Sequence, residues 1–356
     1  MKRNTWMTLA LAGLVSVLAV AIAAVAGIGR AAPAKPQANV RVAVVTDIGG
    51  LNDKGFNHLA YVGLQRAKAK LSGVDTRVYI TNTASERKPN LAAAAQANYG
   101  LVFGTGFLMF DSIGSVAKAF PTRKFVGIDV PVEAVPENSG ANIPNLRGVV
   151  FKEQEAGYLV GYIAGLQIKR HPYKGKQRVA AVGANKVPAI VRFLAGFRAG
   201  AKKANKNVKV DLVYANDPTF QDQAKCKETT LNEIAKGAGV VFEAAGQCGL
   251  GGLSAAKQKK VWGIGVDADQ SFLGSHILTS ATKKVDVAVY KEIQAYKANP
   301  SGFKGGKDVT FSVKNGGVGY GKLSSKLSKA DRLFLTAKVN AIRKLIAQGK
   351  IVPPTS

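Results

Sequence analysis

From residue 40 onward, short apolar runs alternate with stretches whose apolar residues recur at helical spacing. Val40-Arg41-Val42-Ala43-Val44-Val45 predicts a buried strand ending at Thr46-Asp47. Leu59, Val62, Leu64, Ala67 and Leu71 then fall on one face of a helix over 59–71. Residues 76–80, 101–104 and 124–129 read as further strands, with helices over 89–98 and around 112–120. The pattern restarts with a short strand at 149–151 and a helix over 154–166 that has small residues on one face. Strands at 178–183, 208–214, 240–245 and 261–267 follow, with helices over 188–204 and 222–236 between them. Residues 298–325 are Gly- and Lys-rich with short strand-like pieces. A last helix over 329–348 aligns Leu333, Leu335, Val339, Ile342 and Leu345. Near-continuous apolar strands alternating with helices mean parallel sheets covered on both faces, so the class is α/β with two similar halves.

Residues 1–34 stand outside this rhythm. Lys2 and Arg3 precede an uncharged Leu-, Val- and Ala-rich run that ends in Ala-x-Ala patterns, the layout of a cleavable secretory signal. The same run exceeds the roughly 18 residues that span a bilayer, so an uncleaved anchor is the alternative. Both readings export the rest of the chain to the cell envelope or beyond. No Cys lies in this region to carry a lipid, so the sequence does not read as a Cys-anchored lipoprotein.

Export changes the meaning of the charge. The 356 residues carry a formal net charge of +28, and without residues 1–34 the balance is still +25. An exported basic chain faces an anionic envelope or an acidic ligand. Its cations are not interleaved with aromatics as a nucleic-acid stacking platform requires, so no nucleic-acid partner is expected. With 47% apolar residues, three His and two Cys, the composition excludes a disordered chain, a disulfide-dense mini-domain and a zinc-finger type of fold. The two cysteines, Cys226 and Cys248, are 22 residues apart beside consecutive strands, which predicts a disulfide in an exported protein. No His-Glu-x-x-His, Gly-x-Ser-x-Gly or phosphate loop is present, so no catalytic or metal residue and no cofactor is expected.

Two open α/β halves place the carboxyl ends of their strands on one cleft, which can close by hinge bending. The segments beyond the strands are therefore the informative ones. They are 46–57 with Asp47, Asn52, Asp53, Phe56 and Asn57, then Asp129, 214–222 with Phe220, the Gly-rich 246–252, and 267–270 beginning with Asp267. Each half presents a Phe among carboxylates, which suits a flat heterocycle carrying N–H and O–H donors. Asn52 or Asp53 also suits a helix N-cap.

Thr46-Asp47 with Asn52-Asp53-Lys54-Gly55-Phe56-Asn57 resembles the opening motif of the basic membrane protein family of ABC-transporter substrate-binding proteins, of the purine-nucleoside receptor type. Phe125-Val126-Gly127-Ile128-Asp129, the block from Phe151 to Gly161, Phe193 to Gly200, Ala244-Ala245-Gly246, Gly265 to Gln270 and Thr279 to Asp286 agree in order over about 40–325. The resemblance implies a type I periplasmic-binding fold of two doubly wound parallel-sheet lobes joined by a hinge. It implies a monomer that captures a nucleoside and docks to an ABC permease, without enzymatic activity. The expected division is 39–130 plus about 262–305 for the N-terminal lobe, about 131–261 plus about 306–325 for the C-terminal lobe, and a helix at 328–350. By the same resemblance Phe56 and Phe220 sandwich the base, with Phe197 as rival to the latter. Asp47, Asn57 and Asp129 line the base side, and Gly246, Asp267 and Lys283 the ribose side. A solvated helix position is the alternative for Lys283. A phosphorylated or sugar ligand, a sensory role and a nucleoside hydrolase are the other functional readings.

Overall fold

The computed structural model describes residues 39–136 and 143–356, so the expected targeting segment at 1–34 lies outside the described residues. The chain builds β1 (Val40–Val45), α1 (Phe56–Lys70), β2 (Val74–Tyr79), α2 (Arg87–Gln96), β3 (Leu101–Thr105), α3 (Phe110–Ala119), β4 (Lys124–Ile128) and β5 (Leu146–Phe151). It continues through α4 (Glu153–Arg170), β6 (Arg178–Gly183), α5 (Pro188–Ala204), β7 (Lys209–Tyr214), α6 (Gln223–Ala235), β8 (Ala238–Ala244), α7 (Cys248–Gln258), β9 (Trp262–Asp267) and β10 (Ile277–Lys283). It closes with α8 (Val285–Ala298), β11 (Lys307–Phe311), β12 (Val318–Tyr320) and α9 (Lys329–Ala347).

These strands form two six-stranded sheets, in the orders β11-β5-β4-β3-β1-β2 and β12-β10-β9-β8-β6-β7. Every pairing is parallel except β10 with β12. In β1, Val42 and Val44 enter one core while Ala43 and Val45 enter another, which is why the strand reads as an unbroken apolar run. In each sheet the strand order reverses beside the first strand of its half, between β1 and β3 and between β6 and β8. Such reversals open a crevice at the carboxyl ends of the strands.

Sheet membership differs from the expected division. β9 and β10, within 262–283, belong to the second sheet, and β5 and β11 belong to the first. Helix α8 does return to the first lobe, where Gly63 of α1 leaves room for the backbone of Asp286 and the side chain of Val289. The chain thus crosses between lobes at Lys152, at Lys284 and through 312–317. These crossings are tied together: Lys152 N donates to Phe311 O at 2.8 Å, Lys284 N to Gly317 O at 2.9 Å, and Val313 N to Glu155 Oε2 at 2.6 Å. Three linked crossings form the junction about which the lobes can turn.

Helix α9 lies on the second lobe with Leu335, Val339, Ile342 and Ile346 buried, while Leu333 is 63% exposed and does not share that face. Among the described residues no helix is long and apolar enough to cross a membrane. The segment expected to be a Gly-rich loop is instead the start of α7, and Gly251 there admits the Gln223 carbonyl of α6. Cys226 of α6 and Cys248 of α7 form the expected disulfide, with Cα atoms 5.5 Å apart.

Helices α4 and α5 pack backbone to backbone. A methyl group on Gly161 would strike the Phe197 carbonyl, and one on Gly196 would strike the Gln154 carbonyl. The small residues along 154–166 are therefore the contact face. Phe197 is fully buried and stacks on Phe242 at 5.4 Å, which removes it as a candidate for the cleft. Gly161→Ala improves helix propensity by about 1 kcal/mol, yet a net loss of about 1–3 kcal/mol is expected from overpacking. A lower urea midpoint at unchanged slope would show it.

Candidate functional site

The crevice between the lobes has about 720 Å³ of free space, counting its mouth open to solvent. Its walls come from the carboxyl ends of strands in both sheets. Asp47, Phe56 and Asn57 lie beyond β1, Gly106 and Phe107 beyond β3, and Asp129 beyond β4. Val187 and Ile190 lie beyond β6, Phe220 beyond β7, Gly246 beyond β8, and Asp267 ends β9. Seven of the eight expected site residues thus line this one crevice, from both lobes, and Lys283 stands behind them.

On the first lobe, Asp53 organises the loop that presents Phe56. Its carboxylate accepts from Gly55 N at 3.0 Å, Asn57 N at 2.7 Å and His58 N at 3.1 Å, satisfying amides at the start of α1. Phe56 is the first residue of that helix and is half-buried. Asn57 lines the crevice, but its amide serves the loop: Oδ1 accepts from Asp47 N at 3.2 Å and Nδ2 donates to Ile48 O at 3.4 Å. Asp47 Oδ1 accepts from Ile48 N at 2.8 Å and from Arg87 Nε at 2.8 Å.

On the second lobe, Phe220 sits at φ +60° and Gly246 at φ +58°. Glycine is the favourable residue at such a φ. A Cβ on Gly246 would also come within 3.3 Å of Phe220 Cβ, so the two loops are in direct contact. Cys248 N donates to Phe220 O at 2.9 Å, and the disulfide ties α7 to α6 just behind them. Asp222 caps α6 by accepting from Ala224 N and Lys225 N, which fixes where the Phe220 loop ends.

Behind the wall lies a closed group of charges. Lys283, the last residue of β10, is 1% exposed, so it is neither solvated nor on a helix. Its ammonium donates to Asp129 Oδ2 at 2.5 Å and to Glu153 Oε1 at 2.9 Å. The rings of Phe56 and Phe151 have centroids 5.0 and 4.9 Å from it. Glu153, fully buried at the start of α4, also accepts from Arg192 of α5 at 2.6 Å. Asp129 belongs to the first lobe and Lys283 to the second, so this chain of charges bridges the crevice at its base.

The electrostatics follow from that arrangement. Burial pushes Asp129 up to about 6 against the pull of Lys283. Burial pushes Asp267 up to about 7, with Lys283 opposing and Asp129, Asp53 and Glu153 reinforcing. The acids hold Lys283 protonated, raising it despite burial. Asp129 Oδ1 is buried and has no donor among the described residues.

Glu153, Arg87 and Phe193 also shape the site, and none was singled out from the sequence. Glu153 is the acid directly after β5 in the Phe151 to Gly161 block, and only its long-range partners mark it. Replacing Lys283 by Met is expected to cost about 3–5 kcal/mol at pH 8, because Asp129 is then buried without a cation and Glu153 keeps only Arg192. Asp129, already raised to about 6 by burial, can take up a proton as pH falls, so the loss should shrink towards pH 5 in chemical denaturation.

The chain is similar to known proteins along nearly all of this fold. Residues 40–352 match the family model described as ABC transporter substrate-binding protein PnrA-like. The ABC transporter nucleoside-binding protein BmpA of Lactococcus lactis is 32% identical, with 90% of this chain and 91% of that protein covered. The CD4+ T-cell-stimulating antigen of Listeria monocytogenes is 33% identical over 90% of this chain and 89% of its own. Among solved structures, an ABC transporter system solute-binding protein from Aeropyrum pernix matches with TM-score 0.75 at 26% identity, covering 89% of this chain and 94% of that one. A glucose-galactose binding protein from Geobacillus stearothermophilus shares the fold at TM-score 0.55 and 16% identity, covering 76% of this chain and 95% of its own. With a crevice between two α/β lobes and a match from the first strand to past the last helix, this chain belongs to the PnrA-like family of ABC transporter substrate-binding proteins.

Proposed function

We propose that this protein binds a nucleoside, of purine type, in the crevice between its lobes and delivers it outside the cytoplasm to an ABC permease. The observation that carries this reading is half-buried phenylalanines from both lobes, Phe56 and Phe107 from the first and Phe220 from the second, around a crevice whose charged groups are all carboxylates. A planar heterocycle gains from aromatic faces, and a sugar diol gains from an acceptor such as Asp267. Asp129 Oδ1, buried and without a donor, is a second acceptor for a ligand N–H or O–H to satisfy. The Lactococcus relative, named as nucleoside-binding, supports the same ligand class. In this reading Phe56 and Phe220 stack on the base, Asp47 and Asp129 meet its polar edge, and Asp267 with the Gly246 backbone meets the ribose. Asn57 holds the Asp47 loop, and Lys283 holds Asp129 from behind.

Two outcomes test it. In a thermal-shift series with inosine, adenosine, cytidine and ribose, purine nucleosides are expected to raise the melting temperature. Ligand at about 100 times its dissociation constant adds about 2.7 kcal/mol. Phe56→Ala and Phe220→Ala should each abolish the shift at that concentration, and an undiminished shift in both would refute the stacking. The second outcome is a pH dependence. Hydroxyl donors favour ionised Asp267, whose carboxyl sits at about 7 before binding. Affinity should therefore rise from pH 5 to pH 8, with proton release measured by calorimetry in buffers of different ionisation enthalpy. Asp267→Asn should weaken binding and remove that proton release.

A further inference from the structure

We propose that Arg87 is a positioning residue that sets which ligand edge the site accepts. It holds Asp47 as a carboxylate with one oxygen occupied and the other left for the ligand, so that the site prefers heterocycles carrying an N–H on the edge facing Asp47. The inference rests on the nucleoside reading above and goes beyond it by naming the edge chemistry and a residue outside the wall that enforces it.

Arg87 opens α2 and does not itself line the crevice. Its side chain is 9% exposed and that of Asp47 is 14% exposed, so the pair is largely withdrawn from solvent. Arg87 Nε donates to Asp47 Oδ1 at 2.8 Å, and Ile48 N donates to the same oxygen at 2.8 Å. The Asp47 amide is held in turn by Asn57 Oδ1 at 3.2 Å. Backbone and side chain are thereby fixed from three directions, and both protein donors that reach the carboxylate fall on Oδ1. Oδ2 takes no hydrogen bond among the described residues and faces Gly106, where an added Cβ would stand 3.0 Å from it. Gly106 is a wall residue at φ +110°, a backbone that favours glycine, so that approach stays open.

The chemistry depends on Asp47 keeping its charge. Burial favours the protonated form, Asp111 of α3 adds to that, and Arg87 opposes both. A protonated Asp47 could offer an O–H to a ligand acceptor, which would invert the preference. An ionised Oδ2 can only accept. Adenine, through its amino group, and hypoxanthine, through its ring N–H, can supply that hydrogen, whereas unsubstituted purine cannot. The missing hydrogen would leave a buried charge unsatisfied, which sets the scale of discrimination.

The test compares inosine and adenosine with purine riboside by calorimetry on the full chain and on Arg87→Met and Arg87→Lys. The wild type is expected to prefer inosine and adenosine by about 10–100-fold, the scale of one hydrogen bond to a charged group. Arg87→Met should reduce this ratio to within about 3-fold or invert it, with purine riboside still bound, which shows that the crevice is intact. Arg87→Lys should recover part of the ratio. In the ligand-free protein, the Asp47 carboxyl followed by carbon NMR should titrate at higher pH in Arg87→Met than in wild type. An unchanged ratio, equal losses for all three ligands, or an unmoved Asp47 titration overturns the role of Arg87. Absence of nucleoside binding in the wild type overturns the edge preference and the nucleoside reading together. A shifted Asp47 titration in that case would support only the control of Asp47 by Arg87.

Discussion

The buried ammonium of Lys283 is the interaction on which the rest of this structure depends. A cation this deep is costly unless its charge is matched and its hydrogen bonds are made. Asp129 and Glu153 supply both, and Arg192 balances the second acid. The arrangement joins β4 of the first lobe to β10 and α5 of the second, with Glu153 beside the crossing at Lys152. Its two cations and two acids cancel. Asp267 has no cation of its own, and burial together with the neighbouring acids pushes it up to about 7. The carboxyl of the cluster without a cation is therefore Asp267, which lines the crevice together with Asp129.

The remaining architecture keeps that wall in register. Aromatic and acidic residues stand on short segments after strands, where loops are free to vary while the strands beneath them are held on both faces. The Phe220 loop is bounded by the Asp222 cap and leans on the Gly246 turn, with the disulfide behind. The second-lobe wall also depends on α5, which carries Ile190 and Phe193 and sits against α4 through glycine contacts. A change in that helix pair would move the ligand wall without touching it.

The parts of the fold legible in the sequence were those encoded locally. The apolar run at 40–45, the stretch at 178–183 and the Pro-led helix at 188–204 stand where their periodicity placed them, because a strand buried on both faces and a helix with one buried face have distinct patterns. Lobe membership was not legible. Nothing in the residues of β9 and β10 marks one sheet over the other, and parallel pairing is decided by non-local crossovers. Helices α7 and α8 were not anticipated: the Gly-rich start of α7 reads as a loop, although its glycines serve close helix packing. Within the site, Phe56, Asp129 and Asp267 stood out because strand ends face crevices. Arg87 and Glu153 did not, since one charged residue paired across 40 or 130 positions leaves no local mark.

The strong positive charge of the chain can now be set against its crevice. Among the described wall residues are Asp47, Asp53, Asp129 and Asp267, and no Lys, Arg or His. Lys283 lies behind them with its charge already matched, and Arg87 is engaged with Asp47. A phosphorylated ligand would bring further negative charge against these acids with no wall cation to receive it, at short range and partly out of water, where repulsion is strongest. A neutral ligand rich in N–H and O–H donors meets no such barrier. The excess of cations thus lies outside the crevice, whose charged lining groups are all acidic.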